Sequence, residues 1–207
     1  MTRNLQIKAL FLKHFEGAKT ELVFSNAYEL IVCVMLSAQC TDKRVNLITP
    51  ALFKAYPSAA ALAKANLASL KTIIQSCSFF NNKAENLVKM ARAVCEKFGG
   101  EIPLTQNDLQ SLAGVGQKTA NVVLIEWCGA NVMAVDTHIF RVAHRLGLSG
   151  GKTPELVEMD LTNIFKDKLN RLHQAMVLFG RYTCKAKNPL CEQCFLAKFC
   201  KSGDKKI

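Results

Sequence analysis

The sequence predicts an all-α protein. Apolar residues recur at helical spacing over most of the 207 residues, four of the five prolines (Pro57, Pro103, Pro154 and Pro189) fall between those stretches, and no convincing series of alternating strands appears. In chain order the helical period runs over residues 5–15, 28–36, 45–53, 67–74, 83–98, 117–128, 137–146, 156–165 and 172–182. The most apolar run, 30–36, is one helix face of Ile, Val, Cys and Met. Pro57 separates the third stretch from the fourth. The fifth is the clearest: Leu87, Val88, Ala91, Val94, Cys95 and Phe98 form one stripe, and Gly99-Gly100 stops it. Pro103 precedes the sixth, Pro154 separates the seventh from the eighth, and Pro189 follows the last. The tail beyond Cys200, with Lys201, Lys205 and Lys206, is expected to fray.

Half of the residues are apolar, enough to bury a core in one or two domains. No stretch reaches the roughly 20 apolar residues that span a bilayer, and the N-terminus lacks a signal-peptide layout. The expectation is a cytoplasmic monomer, associated with the nucleoid if bacterial, in which disulfides are disfavoured. Nine cysteines cannot all pair within one chain. Cys33, Cys77, Cys95 and Cys128 read as small core residues, and Cys40 has no evident role. A formal net charge of +11 points to a polyanion, nucleic acid first.

Two segments suggest chemistry. Residues 112–120, Leu-Ala-Gly-Val-Gly-Gln-Lys-Thr-Ala, form a tight turn between helices. Gly116 then opens a helix whose first N–H groups are free to receive a phosphate. Lys118 sits in the first turn of that helix, where the dipole disfavours a cation; burial would act the same way, leaving the neutral amine that a nucleophile needs. On local spacing alone, a lysine that merely touches phosphate is the better reading. Asp136 suits the N-cap of the helix at 137–146, a complete structural explanation; the functional alternative is a carboxylate aimed at developing positive charge. His138 reads as a polar residue at a helix start, with no second metal ligand at helical spacing. Arg141 and Arg145, one turn apart, suit either phosphate contacts or a solvated face.

Cys184, Cys191, Cys194 and Cys200 stand in the pattern Cys-x6-Cys-x2-Cys-x5-Cys. A disulfide framework, a zinc site or an iron–sulfur cluster would each use four such thiols. A ribbon-type zinc site usually shows two Cys-x2-Cys knuckles, and this chain has one there.

Taken together, residues 112–123 (Leu-Ala-Gly-Val-Gly-Gln-Lys-Thr-Ala-Asn-Val-Val), 134–142 (Ala-Val-Asp-Thr-His-Ile-Phe-Arg-Val) and 180–184 (Gly-Arg-Tyr-Thr-Cys) with the four-cysteine loop resemble the endonuclease III family. Residues 36–42 (Leu-Ser-Ala-Gln-Cys-Thr-Asp) and 82–86 (Asn-Lys-Ala-Glu-Asn) match as well, so the resemblance runs from about Ala27 to Cys200. These are helix-hairpin-helix DNA glycosylases with AP-lyase activity. The resemblance implies two helical domains with a DNA-binding cleft between them: a helical barrel at about 21–130, with the hairpin at about 105–124, and a cluster domain of 1–20 and 131–207. It implies a [4Fe-4S] cluster held by Cys184, Cys191, Cys194 and Cys200. It implies Lys118 as nucleophile and Asp136 as its acidic partner, acting on duplex DNA with oxidised pyrimidines or abasic sites. Gln39 would fill the gap left by an extruded base, Phe79 would wedge into the duplex, and Asp42, Gly114, Gly116, Thr119 and His138 would also contact DNA. The cluster would pin a loop carrying Lys185, Lys187 and Lys198 toward the DNA backbone.

Three positions depart from the family: Ala113 where Pro is usual, Gln117 where a basic residue is common, and Ser78 where Gly is common beside the wedge. The adenine-mismatch glycosylases of the same superfamily typically lack the lysine nucleophile, so Lys118 argues against them. A non-catalytic, redox-sensing DNA-binding protein is the alternative from another class.

Overall fold

The computed structural model describes residues 1–205. The described residues hold eleven α-helices, one short 3-10 helix and no strand. The chain forms two compact units, Met1–Thr20 with Gly129–Ile207, and Glu21–Cys128.

The continuous unit contains α2 (Ala27–Ser37), α3 (Asp42–Ala55), α4 (Ala59–Ala63), α5 (Leu67–Ile74), α6 (Phe80–Phe98), α7 (Gln106–Gln110) and α8 (Gln117–Cys128). Helix α2 is its centre: every residue from Leu30 to Leu36 is buried, as expected for a helix apolar all round. It packs on α3, α6 and α8, while α4 and α5 lie on α6 and α7 on α8. Asn26, Thr41, Ser58, Asn66 and Thr105 are N-caps whose side chains accept an N–H three residues on. The five-residue helices α4 and α7 lie outside the periods read from sequence, because fewer than two turns display no stripe.

The second unit joins α1 (Arg3–His14) to α9 (Thr137–Arg145), α10 (Pro154–Phe165), α11 (Leu169–Tyr182) and the 3-10 turn Ala197–Phe199. Pro154 lies not between helices but inside α10, in the first turn, where its missing N–H costs nothing. The core combines Ile7 and Phe11 of α1 with Ile139, Val142, Leu161, Leu172, Met176 and Phe179. Phe11, Phe179 and Phe195 meet edge to face around it. Lys8, nearly buried, locks α1 in place by donating to the Phe165 carbonyl at 2.8 Å and to Asp167 at 2.5 Å. Among the described residues no helix is long and apolar enough to cross a membrane.

Candidate functional site

Sequence and steric constraint agree on the turn between α7 and α8. Gly114 has φ +77, and a Cβ there would lie 2.9 Å from Asn86 Cβ and 3.1 Å from Met35 Cε. It is glycine because the backbone is left-handed and because α2 and α6 press against it. Gly116 has neither constraint: its φ is ordinary for an L residue and an added Cβ would meet nothing within 4 Å. Its carbonyl accepts the Ala120 N–H at 2.9 Å and so begins α8. The fold leaves open space where the sequence keeps a glycine.

Lys118 occupies the second position of α8, beside Thr119, which is half-buried. Lys118 is exposed, so burial by the protein itself does not supply the desolvation anticipated from sequence. It has no hydrogen bond or ion pair among the described residues. Asp136 and His138 belong to the other unit. Asp136 caps α9, its Oδ1 accepting the Ile139 N–H at 2.8 Å. Its second oxygen has no hydrogen-bond partner among the described residues. The capping role therefore uses half of the carboxylate. His138, half-buried, has Nδ1 3.2 Å from the Arg141 guanidinium and is pressed against Gly180, where a Cβ would stand 2.8 Å from its own Cβ.

The turns that hold Gln39 and Phe79 lie close together in the Glu21–Cys128 unit. Gln39 is exposed with φ 53; Phe79 is 65 % exposed with φ 57. Two bulky non-glycine residues in the left-handed region, each strained by about 1–2 kcal/mol, need surroundings that hold them there. Lys83 is one such support. Its buried ammonium donates to the Leu36 and Ala38 carbonyls, both at 2.7 Å, from the first turn of the helix that Phe79 begins. Cys40 and Cys77 are a second support, with Sγ atoms 3.7 Å apart. Asp42 is the first residue of α3 and is half-buried. Lys83 was not legible as a positioning residue: in sequence it is one cation among many.

The C-terminal thiols gather. Cys184, Cys191, Cys194 and Cys200 line one pocket, together with Arg145, Leu146, Phe179 and Leu190. Burial pushes the Cys184 and Cys194 thiols up, and Arg145 and Arg141 oppose this at Cys184. Among the described residues no three such side chains converge tightly enough for a single metal ion. Four thiols lining one pocket, with guanidinium groups beside them to offset thiolate charge, fit the donor set of an iron–sulfur cluster.

Arg141 and Arg145 are not on a solvated face. Arg141 donates to the Cys184 carbonyl at 3.0 Å and the Gly180 carbonyl at 2.7 Å. Arg145 donates to the Lys185 carbonyl at 2.6 Å and to Asp204 at 2.5 Å, and its Nη1 is 3.5 Å from Cys184 Sγ. The tail beyond Cys200 is therefore anchored as far as it is described: Lys201 N–H donates to the Arg145 carbonyl at 2.8 Å. Lys206 lies outside the described residues. Lys185, Lys187 and Lys198 are exposed, Lys198 over the Phe199 ring. Among the remaining cysteines, Cys33 and Cys77 are buried as expected, Cys95 is half-buried, and Cys128 is exposed rather than in the core.

Comparison with known proteins agrees with this geometry. Residues 32–167 match the HhH-GPD superfamily of base excision DNA repair proteins, and residues 184–200 match the iron–sulfur binding domain of endonuclease III. The chain is 42 % identical to endonuclease III of Rickettsia felis over 94 % of this chain and 92 % of that one. Identity to the Bacillus subtilis endonuclease III is 42 % over 93 % and 89 %. For the Haemophilus influenzae protein it is 39 % over 99 % and 97 %. Among solved structures, a trapped endonuclease III–DNA covalent intermediate superposes with a TM-score of 0.92 at 39 % identity, covering 97 % of each chain. A non-covalent endonuclease III–DNA complex gives 0.91 at 39 % identity, covering 97 % of this chain and 96 % of that one. The chain belongs to the endonuclease III family of HhH-GPD base excision DNA repair proteins and is a [4Fe-4S] protein.

Proposed function

We propose that this DNA repair glycosylase is bifunctional: it removes oxidised pyrimidines from duplex DNA and then cuts the strand 3′ to the abasic site. One observation carries the reading. Lys118 is an exposed amine without a protein partner, one residue past the start of a helix whose opening glycine faces open space. That is the arrangement expected of a nucleophile whose partner is the substrate. A DNA backbone seated at Gly116 brings a phosphate to the first turn of α8 and the lysine to the sugar. The covalent intermediate formed by the related endonuclease III supports the same chemistry.

The cationic surface draws DNA in a salt-sensitive, sequence-independent way. Gln39 and Phe79, held on neighbouring turns, enter the duplex as the damaged base leaves the stack, at a cost of a few kcal/mol that is lowest for a damaged base. Gly114, Thr119, Asp42 and His138 complete the DNA-facing set. The Lys118 Nζ lone pair attacks C1′: the N–C1′ bond forms, and the base leaves with the electron pair of the glycosidic bond. Asp136 stabilises the charge that develops on the sugar and takes up protons. Ring opening yields the Schiff base, whose cationic nitrogen acidifies the C2′ hydrogen. Loss of that proton drives out the 3′ phosphate by β-elimination.

Cys184, Cys191, Cys194 and Cys200 hold the cluster, which when bound supplies four metal–thiolate bonds that stiffen the loop. Arg141 and Arg145 orient that loop from α9, and its exposed lysines present charge to the backbone.

The test is borohydride reduction on lesion-containing duplex. The wild-type chain is expected to form a covalent protein–DNA adduct, and Lys118→Ala is expected to form none while keeping its helicity and cluster. Equal trapping in both removes Lys118 from the nucleophile role.

A further inference from the structure

Cys40 and Cys77 take no part in the chemistry above, and their position is unusual. The two sulfurs are 3.7 Å apart, although the residues are 37 positions apart in the chain. Cys40 directly follows Gln39, and Cys77 precedes Phe79 by two residues. The pair thus spans the two turns whose left-handed residues stand exposed. Cys40 is half-buried and reachable; Cys77 is 3 % exposed. Lys83 is also at this junction, fixed by its bonds to the Leu36 and Ala38 carbonyls.

We propose that Cys40 and Cys77 are a dithiol that a hydroperoxide oxidises to a disulfide, tying the Gln39 turn to the Phe79 turn. The Cys40 thiolate attacks the O–O bond: an S–O bond forms, and the distal oxygen leaves as an alcohol, or as water from hydrogen peroxide, after taking a proton. Cys40 is then a sulfenic acid. The Cys77 sulfur attacks the Cys40 sulfur, the S–S bond forms, and hydroxide leaves with the Cys77 proton as water. The two thiols lose two electrons and the peroxide gains them.

Burial pushes the Cys77 thiol up to about 11, with the hydrogen bond to Cys40 acting the same way and Lys83 and Arg44 opposing. Cys77 is therefore the resolving thiol and not the one that meets the oxidant. A disulfide requires sulfurs about 2.05 Å apart, so closure draws the turns together by up to roughly 1.7 Å. The consequence for turnover rests on the function proposed above, in which Gln39 and Phe79 enter the duplex; a shift of about 1 Å in such parts costs up to about a hundredfold.

The experiment has two independent readouts. The cluster-loaded protein without DNA is treated with a slight excess of hydrogen peroxide, its free thiols are blocked, and its peptides are mapped by mass. A Cys40–Cys77 linked peptide lacking two hydrogens is expected as the earliest product, reversed by dithiothreitol. In Cys77→Ala the Cys40 sulfenic acid should instead persist and be captured by dimedone. A wild-type Cys40 that goes to sulfinic acid unlinked, or a link that forms no faster than pairs with Cys33 or Cys95, overturns the proposal whether or not the protein cuts DNA. The second readout is cutting of an abasic-site duplex. A fall of about tenfold is expected on oxidation, restored by dithiothreitol and absent in Cys40→Ala. An equal fall in Cys40→Ala places the damage elsewhere and refutes the tie between the turns. A link that forms in a protein showing no cutting when reduced leaves the dithiol standing and refutes the enzymatic reading.

Discussion

Gly114 and Gly116 stand two residues apart in one turn and are glycine for different reasons, so alanine at each should separate folding from binding. At Gly114 an L residue in the left-handed region costs about 1–2 kcal/mol. The new Cβ would also lie 2.9 Å from Asn86 Cβ, which is fixed to α6 and cannot swing away, and 3.1 Å from the more pliable Met35 Cε. Overpacking of this kind costs about 1–3 kcal/mol. Restricting the unfolded chain returns about 0.4–1 kcal/mol. The net loss is about 1–4.6 kcal/mol, or a fall in melting temperature of roughly 4–18 °C for a domain near 100 residues. At Gly116 the space is open and φ unstrained. The entropy gain there is offset by alanine's poorer N-capping, and stability should change by less than about 1 kcal/mol. DNA affinity should fall instead, because a methyl group blocks the approach of phosphate to the α8 N–H groups. Thermal melting by circular dichroism and fluorescence anisotropy on an abasic-analogue duplex measure the two quantities. Gly114→Ala with an unchanged melting temperature, or Gly116→Ala with an unchanged Kd, refutes the reasoning for that position.

Three further outcomes are expected. Asp136→Asn keeps the cap, since Asn serves as well as Asp, and should change stability by less than about 1 kcal/mol while abolishing turnover; retained turnover, read by gel, leaves Asp136 a cap alone. Arg145→Lys loses the fork that reaches the Cys184 loop and Asp204, and the visible absorbance of the cluster should bleach about tenfold faster under a chelator; an unchanged rate shows that the loop holds without it. Burial, with Glu29 and Asp42 adding, pushes the buried Cys33 thiol up from 9.0 to about 12. Its folded value exceeds its unfolded value, so the stability it contributes is whole below pH 9.0 and is lost as pH rises toward 12. By pH 10 the loss from Cys33 is about 1.4 kcal/mol, measured as a shift in the urea midpoint that Cys33→Ala should remove.

The supports at the proposed DNA-entering turns share a physical pattern. Lys83 ends in backbone carbonyls, and burial lowers its basicity. A buried cation satisfied by the last carbonyls of α2 is favoured by the negative end of the helix dipole. Its removal would take this donor from the buried Leu36 carbonyl and from the Ala38 carbonyl. That explains how Gln39 and Phe79 remain in a strained backbone region while their side chains stay exposed to solvent.

The sequence by itself determined what depends on neighbours along the chain. Helical period is such a signal, and the stretches 67–74 and 117–128 coincide with α5 and α8 to the residue. Caps are another: an Asp at 136 before an apolar stripe can reach the N–H of Ile139 whatever else the protein does. The cysteine spacing likewise announced four thiols acting together. Tertiary structure alone decided what depends on residues remote in sequence. Arg141 and Arg145 turn inward because the loop they bind begins about forty residues later. Gly114 is crowded and Gly116 is free because α2 and α6 press on only one of them. Cys40 meets Cys77 because packing brings two turns together, and no local pattern encodes a contact that only the core imposes.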